Sequence, residues 1–93
     1  MADMAMRLII EGRVQGVGFR IFAVNAASRR NVRGWVRNRR DGTVEALLIG
    51  ADPDVAAVIA ACREGPPLAR VTNLLAEPAT DDGTPGFHER PTV

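Results

Sequence analysis

The residues whose chemistry is easiest to read lie in one short stretch, GRVQGVGFR at positions 12–20, between an apolar run and a helix-like one. Gly16 and Gly18 can adopt positive φ and carry no Cβ, so consecutive backbone N–H groups can point into one concavity that favours phosphate. A helix that begins here adds free N–H groups and the positive end of its dipole. Arg20 adds a planar, charged guanidinium that can donate hydrogen bonds to two oxygens of one phosphoryl group. The stretch predicts a site for a dianion, although a glycine turn that serves only tight packing explains the spacing equally well.

Two better-known phosphate motifs do not fit this stretch. A dinucleotide-binding fingerprint needs a small residue where Ile21 stands, and a P-loop needs a Gly-Lys pair, whereas the chain contains no lysine. The predicted anion cradle is therefore of another type.

Asn38 is the second residue with chemistry to offer. It shares strand parity with Val36 at the end of a predicted strand, so if Val36 faces the core, Asn38 points to the same side just before a turn. Its carboxamide both donates and accepts hydrogen bonds, so it can hold a water in line with a phosphorus atom bound in the cradle. The alternative role is a hydrogen bond to the local backbone of the turn.

The groups on which most phosphatases depend are not in place. The single cysteine, Cys62, falls on the apolar face of a predicted helix, and a cysteine phosphatase loop would need Arg where Leu68 stands. The single histidine, His88, is interpreted as a surface residue, and Asp41 and Glu45 are expected to solvate a turn. One cysteine and one histidine make no ordinary zinc site, so no metal ion and no cofactor are expected.

Positioning and positive charge alone can still cleave one class of phosphate compound, a mixed anhydride whose leaving group is a carboxylate. Carboxylates leave with a pKa near ~4, so no proton need be delivered to them at neutral pH. The charge that develops on the equatorial oxygens during phosphoryl transfer would be stabilised by Arg20 and the amides of the turn. The residues thus favour hydrolysis of an acyl phosphate.

The hydrophobic pattern predicts the elements that must position these groups. Alternation predicts strands, 3.6-residue spacing predicts helices, and Asp41-Gly42 is a strong hairpin turn. Asp52 is expected to cap the second helix, with Pro53 at its first position. The predicted order is strand Met6–Val14, helix Ile21–Asn31, strands Arg33–Arg40 and Thr43–Ile49, a helix through Cys62, strand Arg70–Glu77, a polar loop Pro78–Pro85 and a short edge strand Phe87–Arg90.

This βαββαβ order predicts an α+β fold, the ferredoxin-like α/β sandwich. Both helices should lie on one face of an antiparallel sheet of four to five strands. Right-handed crossovers give the strand order 4-1-3-2, and the last short piece can extend the edge beside the second strand. Ninety-three residues suit a single domain, residues 1–93.

Paired motifs give the chain a resemblance to a known family. The cradle, followed by Gly34-Trp35-Val36-x-Asn38 and then Asp41-Gly42-Thr43-Val44-Glu45, is similar to the acylphosphatase family. Agreement in residue types and in the separation of the blocks runs from about Gly12 to Val71 and includes Gly65-Pro66-Pro67-Leu68-Ala69-Arg70-Val71. The paired motifs are much more specific than either motif alone.

The resemblance implies metal-free hydrolysis of acyl phosphates to a carboxylate and inorganic phosphate. It assigns catalysis to Arg20 and Asn38, with Asn38 positioning the water. It assigns phosphate binding to the turn Gln15, Gly16, Val17, Gly18, Phe19 and Arg20. Arg30 and Asn31 depart from the family pattern, as does Glu89, which stands where an apolar residue is commoner and leaves the fifth strand in doubt. None of the three is expected to touch the site.

Composition bounds the remaining expectations. An apolar content of 46% with 25% charged residues is ordinary for a globular protein. Residues 1–50 hold nine arginines and four acids, whereas residues 51–93 hold three arginines and seven acids, so the positive half contains the cradle. The short apolar run at the start does not make a signal peptide or a membrane span, so a cytoplasmic protein that does not bind a membrane is expected. The protein is also expected to be a monomer that binds a small-molecule acyl phosphate and no nucleic acid.

Two other functions fit parts of the sequence. The arginines between positions 29 and 40 would suit a non-catalytic anion-binding or RNA-binding module, but such a sheet needs stacking aromatics, of which the chain has few. The chain also resembles the acylphosphatase-like domain of larger maturation proteins that use carbamoyl phosphate, but the resemblance implies that such proteins continue into cysteine-rich zinc segments, which are not found in this sequence.

Overall fold

A computed structural model describes residues 3–93 of the chain, so residues 1 and 2 of the domain expected over 1–93 lie outside the described residues. The chain forms five strands and two helices within the described range. They are β1 Met4–Arg13, α1 Phe19–Arg29, β2 Arg33–Asn38, β3 Val44–Gly50, α2 Asp52–Glu64, β4 Arg70–Pro78 and β5 Phe87–Glu89. Neither helix in this range is long and apolar enough to cross a membrane.

The strands form one sheet in the order β4-β1-β3-β2-β5. The order predicted for the first four strands is confirmed, and the last short piece does add a fifth strand beside β2. β5 pairs with β2 in parallel, with Gly34 opposite Phe87 and Val36 opposite Glu89, so the sheet is mixed although the other pairs are antiparallel. The ferredoxin-like α+β sandwich is confirmed.

Both helices pack on one face of this sheet. Alternate strand residues such as Leu8, Val36 and Leu48 are fully buried against α1 and α2. The predicted apolar face of α2 is also confirmed, since Val55 and Cys62 are buried in the same core. Burial raises the pKa of the Cys62 thiol to about 12, so this cysteine is an inert core residue.

Helix starts differ slightly from the prediction. Asp52 was predicted to cap α2, but the helix begins at Asp52 and the cap position is Ala51, which makes no side-chain hydrogen bond to the helix. α1 begins at Phe19 rather than Ile21. The second difference matters for function, because it places Arg20 in the first turn of α1.

The prediction for Glu45 was wrong. Glu45 does not solvate the turn but lies on the sheet face away from the helices, where it is only 4% exposed. Burial raises its pKa, but hydrogen bonds from Arg37 Nε at 2.8 Å and Arg7 Nε at 2.6 Å outweigh this effect and leave the pKa below its usual value. The reason is register, because the central strand β3 places Glu45 directly opposite Arg37.

A loop covers part of this second face. Residues 79–86, the covering loop, fold over Trp35, whose Nε1 donates to Asp82 at 3.0 Å. Arg33 donates to the carbonyl of Thr84 and to the carboxylate of Asp81. Trp35, Leu47 and Ile49 thus form a small second apolar cluster beneath the loop.

Candidate functional site

The turn between β1 and α1 has the geometry of an anion cradle. Gly16 and Gly18 both have positive φ, 71° and 79°, which allows the chain to pass from strand to helix within a few residues. Gly18 is the cap residue of α1, and within the described chain no side chain caps this helix end. The first N–H groups of α1 are therefore open to a ligand at the positive end of the helix dipole. Residues 14–18 are called the glycine loop below.

A pocket of about 140 Å³ lies beside the glycine loop. Most of its wall comes from the loop and the first turn of α1. These residues are Val14, Gly16, Gly18, Phe19, Arg20 and Ile21. The ends of two neighbouring strands complete the wall with Asn38 and Glu89. The structure therefore brings Arg20 and Asn38, which are far apart in sequence, to one pocket.

Arg20 is held at the pocket wall by its place on α1. Its side chain is 39% exposed, and its Nε lies 3.6 Å from Oε1 of Glu89. This distance is within ion-pair range but too long for a good hydrogen bond. The N–H groups of the guanidinium can consequently still reach a ligand in the pocket.

Asn38 is the last residue of β2, and its backbone is fixed on both sides. It lies opposite Val44 of β3, and its carbonyl accepts a hydrogen bond from the Val93 N–H at 3.2 Å. The side-chain hydrogen bonds of the described residues do not involve its carboxamide. The local backbone bond considered as an alternative role is thus not made, and the amide can serve a ligand or a water.

Gln15 and Val17 do not line the pocket, unlike Gly16, Gly18, Phe19 and Arg20 of the predicted phosphate-binding turn. The Gln15 side chain instead bonds across to the β2–β3 hairpin, where Nε2 donates to the carbonyl of Arg39 at 2.7 Å and to that of Thr43 at 2.9 Å. The Val17 side chain is buried in the main core. Both side chains shape the loop, and only the backbone N–H groups of these two residues remain to donate hydrogen bonds to an anion.

Three pocket residues, Val14, Ile21 and Glu89, were not among the predicted site residues, and Glu89 is the charged one. The expectation that it would not touch the site was wrong, because the parallel pairing of β5 places Glu89 beside Val36 on the helix side of the sheet. The available signal was its strand parity with Phe87, which is buried. A carboxylate therefore shares the pocket with Arg20.

Other reactive groups lie elsewhere. Cys62 lies on the buried face of α2, and His88 is exposed, with Nε2 at 2.6 Å from the carbonyl of Pro85. Among residues 3–93, no group of three or more His, Cys, Asp or Glu side chains is arranged to hold a metal ion. The pocket can therefore bind and polarise an anion through backbone amides and Arg20, and Asn38 can orient a neutral partner beside it.

Comparison with known proteins gives a consistent result. Residues 6–89 match the model of the family described as Acylphosphatase. The chain is 52% identical over 88 residues to the acylphosphatase of Acidiphilium cryptum (strain JF-5), covering 95% of this chain and 97% of that protein.

Solved structures agree with the sequence match. The crystal structure of acylphosphatase from Bacillus subtilis has a TM-score of 0.90 and 36% identity, covering 94% of this chain and 98% of that one. The crystal structure of T. kodakarensis HypF has a TM-score of 0.83 and 32% identity, covering 94% of this chain but 12% of that one. The chain belongs to the acylphosphatase family.

Proposed function

We propose that this protein is an acylphosphatase that hydrolyses acyl phosphates without a metal ion. The observation that carries the proposal is the shared pocket, in which the glycine loop and Arg20 face the end of β2 with Asn38. Family membership and the names of the relatives support the same activity.

The phosphoryl group occupies the cradle. The free N–H groups at the start of α1 and Arg20 donate to its oxygens, and the helix dipole favours its negative charge. These donors are fixed before the substrate arrives, because the loop backbone and α1 are part of the folded frame. The stabilisation that these donors provide increases as negative charge develops on the equatorial oxygens in the transition state.

Asn38 positions the attacking water. The water oxygen forms a bond to phosphorus while the bond from phosphorus to the acyl oxygen breaks. The acyl phosphate dianion and water give a carboxylate monoanion and dihydrogen phosphate, so the second water proton ends on the phosphate. A carboxylate leaves without a proton, and the reaction therefore needs no general acid in the pocket.

An assay with acetyl phosphate tests the proposal. Purified protein in the presence of a chelator should release inorganic phosphate, and added inorganic phosphate should inhibit competitively because it occupies the same cradle. Loss of activity on chelation would overturn the metal-free mechanism, and no phosphate release under any condition would overturn the function.

The RNA-binding alternative receives little support from the arginines that suggested it. Arg33 pairs with Asp81, Arg37 with Glu45 and Arg39 with Asp41. Three cations of the basic run are thus partly neutralised by carboxylates within the fold, which weakens their attraction for a phosphate backbone. Salt-sensitive binding of RNA together with no acyl phosphate hydrolysis would reverse this conclusion.

We also propose that the protein is a cytoplasmic monomer. The single cysteine is buried and fits a reducing compartment. Arg20, Asn38 and the glycine loop all belong to this chain and line one pocket, so catalysis as proposed needs no residue from a second subunit. Size-exclusion chromatography with light scattering tests the oligomeric state, and a stable dimer would overturn it.

A further inference from the structure

We infer from the pocket wall that this protein discriminates among acyl phosphates by the charge of the acyl group, favouring neutral or cationic acyl groups over those that carry a second carboxylate. Glu89 is the residue that imposes this preference. The inference rests on the proposed function and extends it to the class of substrate.

The first step is the charge balance of the pocket. Among the described residues that line it, Arg20 is the one cation and Glu89 the one anion. In the proposed complex Arg20 and the amides of α1 are committed to the phosphoryl oxygens. A carboxylate on the acyl group would then find no free cation on the wall and would face Glu89.

The second step is that the neighbouring arginines lie beside other carboxylates and outside the pocket. The two arginines closest in sequence to Asn38 are Arg37 and Arg39. Arg37 Nε is 2.8 Å from Glu45, and Arg39 Nη1 is 3.5 Å from Asp41. Neither lines the pocket. These arginines therefore do little to offset the charge of Glu89.

The third step is the size and polarity of the remaining wall. A pocket of about 140 Å³ that holds a phosphoryl group leaves the acyl group near its mouth. Ile21, in the first turn of α1, lines the pocket and is 54% exposed. A lone exposed isoleucine is ordinary on a protein surface, but this one lies on the pocket wall and offers an apolar contact to an alkyl chain. The wall thus presents an apolar surface and a negative charge, and no positive charge, to the acyl group.

Butyryl phosphate and succinyl phosphate provide a matched pair of substrates. Their acyl chains have the same number of carbon atoms and differ by a terminal methyl against a terminal carboxylate. Because the phosphoryl group is common to both, the ratio of their kcat/KM values isolates the effect of acyl charge. Each rate is corrected for spontaneous hydrolysis.

The wild-type protein should favour butyryl phosphate, and Glu89→Gln should reduce that preference by about fivefold, the size of one screened repulsion near a protein surface. Glu77→Gln is the matched control, since Glu77 carries the same charge on β4 at the opposite edge of the sheet. It should leave the ratio unchanged. In wild-type protein the preference should also shrink as salt is raised, because salt screens exposed charges.

The outcomes separate this inference from the proposed function. Absence of phosphate release from both substrates would overturn the proposed function and this inference with it. Release with equal kcat/KM for the two substrates, or a preference that Glu89→Gln leaves intact, would overturn the inference alone. A wild-type preference that does not respond to salt would also overturn it, and this measurement does not depend on the folding of a variant.

Discussion

At the level of single residues, the proposed mechanism depends most on the charge of Arg20. It is the one cationic side chain among the described residues of the pocket wall, and its planar fork can donate two parallel hydrogen bonds to a phosphoryl group. Its weak contact with Glu89 at 3.6 Å does not commit those donors elsewhere. Binding of the ground state and stabilisation of the transition state should therefore both depend on it.

Replacing Arg20 tests this dual role. Arg20→Ala should abolish detectable inhibition by inorganic phosphate and lower kcat/KM for acetyl phosphate by about a thousandfold, the upper range for loss of a fixed transition-state donor. Arg20→Lys is the control that keeps the charge and loses the fork, and it should recover part of the phosphate affinity but little of the rate. Unchanged phosphate inhibition in Arg20→Ala would place the anion site elsewhere.

Asn38 should separate binding from turnover. Its carboxamide contacts the water rather than the phosphoryl group in the proposed complex, so Asn38→Ala should keep the inhibition constant for phosphate within about twofold while kcat falls about a hundredfold. The measurement is steady-state hydrolysis of acetyl phosphate with phosphate as competitor. Equal kcat in the variant would remove Asn38 from the mechanism.

The elements of the fold place these two residues with little freedom. Arg20 lies in the first turn of α1, which starts directly after the glycine loop. Asn38 is the last residue of β2, and its own carbonyl accepts a hydrogen bond from the Val93 N–H. Gln15 joins the two elements, because its amide donates to the carbonyls of Arg39 and Thr43 just beyond β2. In the proposed mechanism, this side chain helps to fix the separation between the cradle and the water, together with the pairing of β1, β3 and β2.

Gln15→Leu tests this link between elements. The substitution keeps side-chain bulk but removes two hydrogen bonds, each worth about 1 kcal/mol. Both carbonyls keep a backbone donor, the Gly42 N–H for Arg39 and the Arg39 N–H for Thr43. The urea midpoint should fall, and kcat should fall more than phosphate affinity, since Arg20 and the free N–H groups of α1 make no contact with this side chain. Asn73→Leu is the control for loss of a side-chain amide, because Asn73 is exposed and makes only a 3.4 Å contact with Glu11. A loss of stability with unchanged kcat would contradict the positioning role.

Local signals predicted the elements well. The apolar spacing of α2, the Asp41-Gly42 turn and the left-handed Asn31, which has φ of 55°, all depend on nearby residues and could be read from the sequence. The cradle and Arg20 followed from glycine spacing for the same reason. The role of the Gln15 side chain was not predicted, because its hydrogen-bond partners are distant in sequence. It donates to carbonyls 24 and 28 residues away, and the residues around Gln15 do not indicate either bond.

Two errors at the site and behind it share this cause. Glu89 enters the pocket because β5 adds to the edge of β2, and the position of an edge strand depends on pairing between distant parts of the chain. Glu45 is buried because Arg7 and Arg37 come from the strands on either side of β3. A charged residue on a strand is expected to be exposed, whereas cross-strand partners allow Glu45 to be buried as an ion pair.

The whole molecule depends on a second layer behind the sheet as well as on the helices in front. The ring of Trp35 lies 4.5 Å from the guanidinium of Arg37 and 5.3 Å from that of Arg90, and the covering loop closes over it. Arg90 follows β5, which carries Glu89 into the pocket. The covering loop and the pocket are therefore connected through β5 and β2.

Acid should loosen this second layer through Asp82. Hydrogen bonds from the hydroxyl and backbone N–H of Thr84 lower the pKa of Asp82 from 3.8 to about 2. Because the folded-state pKa lies below the unfolded one, the stabilisation from Asp82 is complete above about pH 4 and is lost as the pH falls through about 2.

Asp82→Asn should lower the urea midpoint at neutral pH, and its difference from wild type should shrink toward about pH 2. Trp35 fluorescence reports the transition, since Trp35 is the single tryptophan and donates to Asp82. Glu64→Gln, which changes an exposed carboxylate at the end of α2, should show no such convergence. A constant difference between wild type and Asp82→Asn across the pH range would show that the charge of Asp82 does not hold the covering loop.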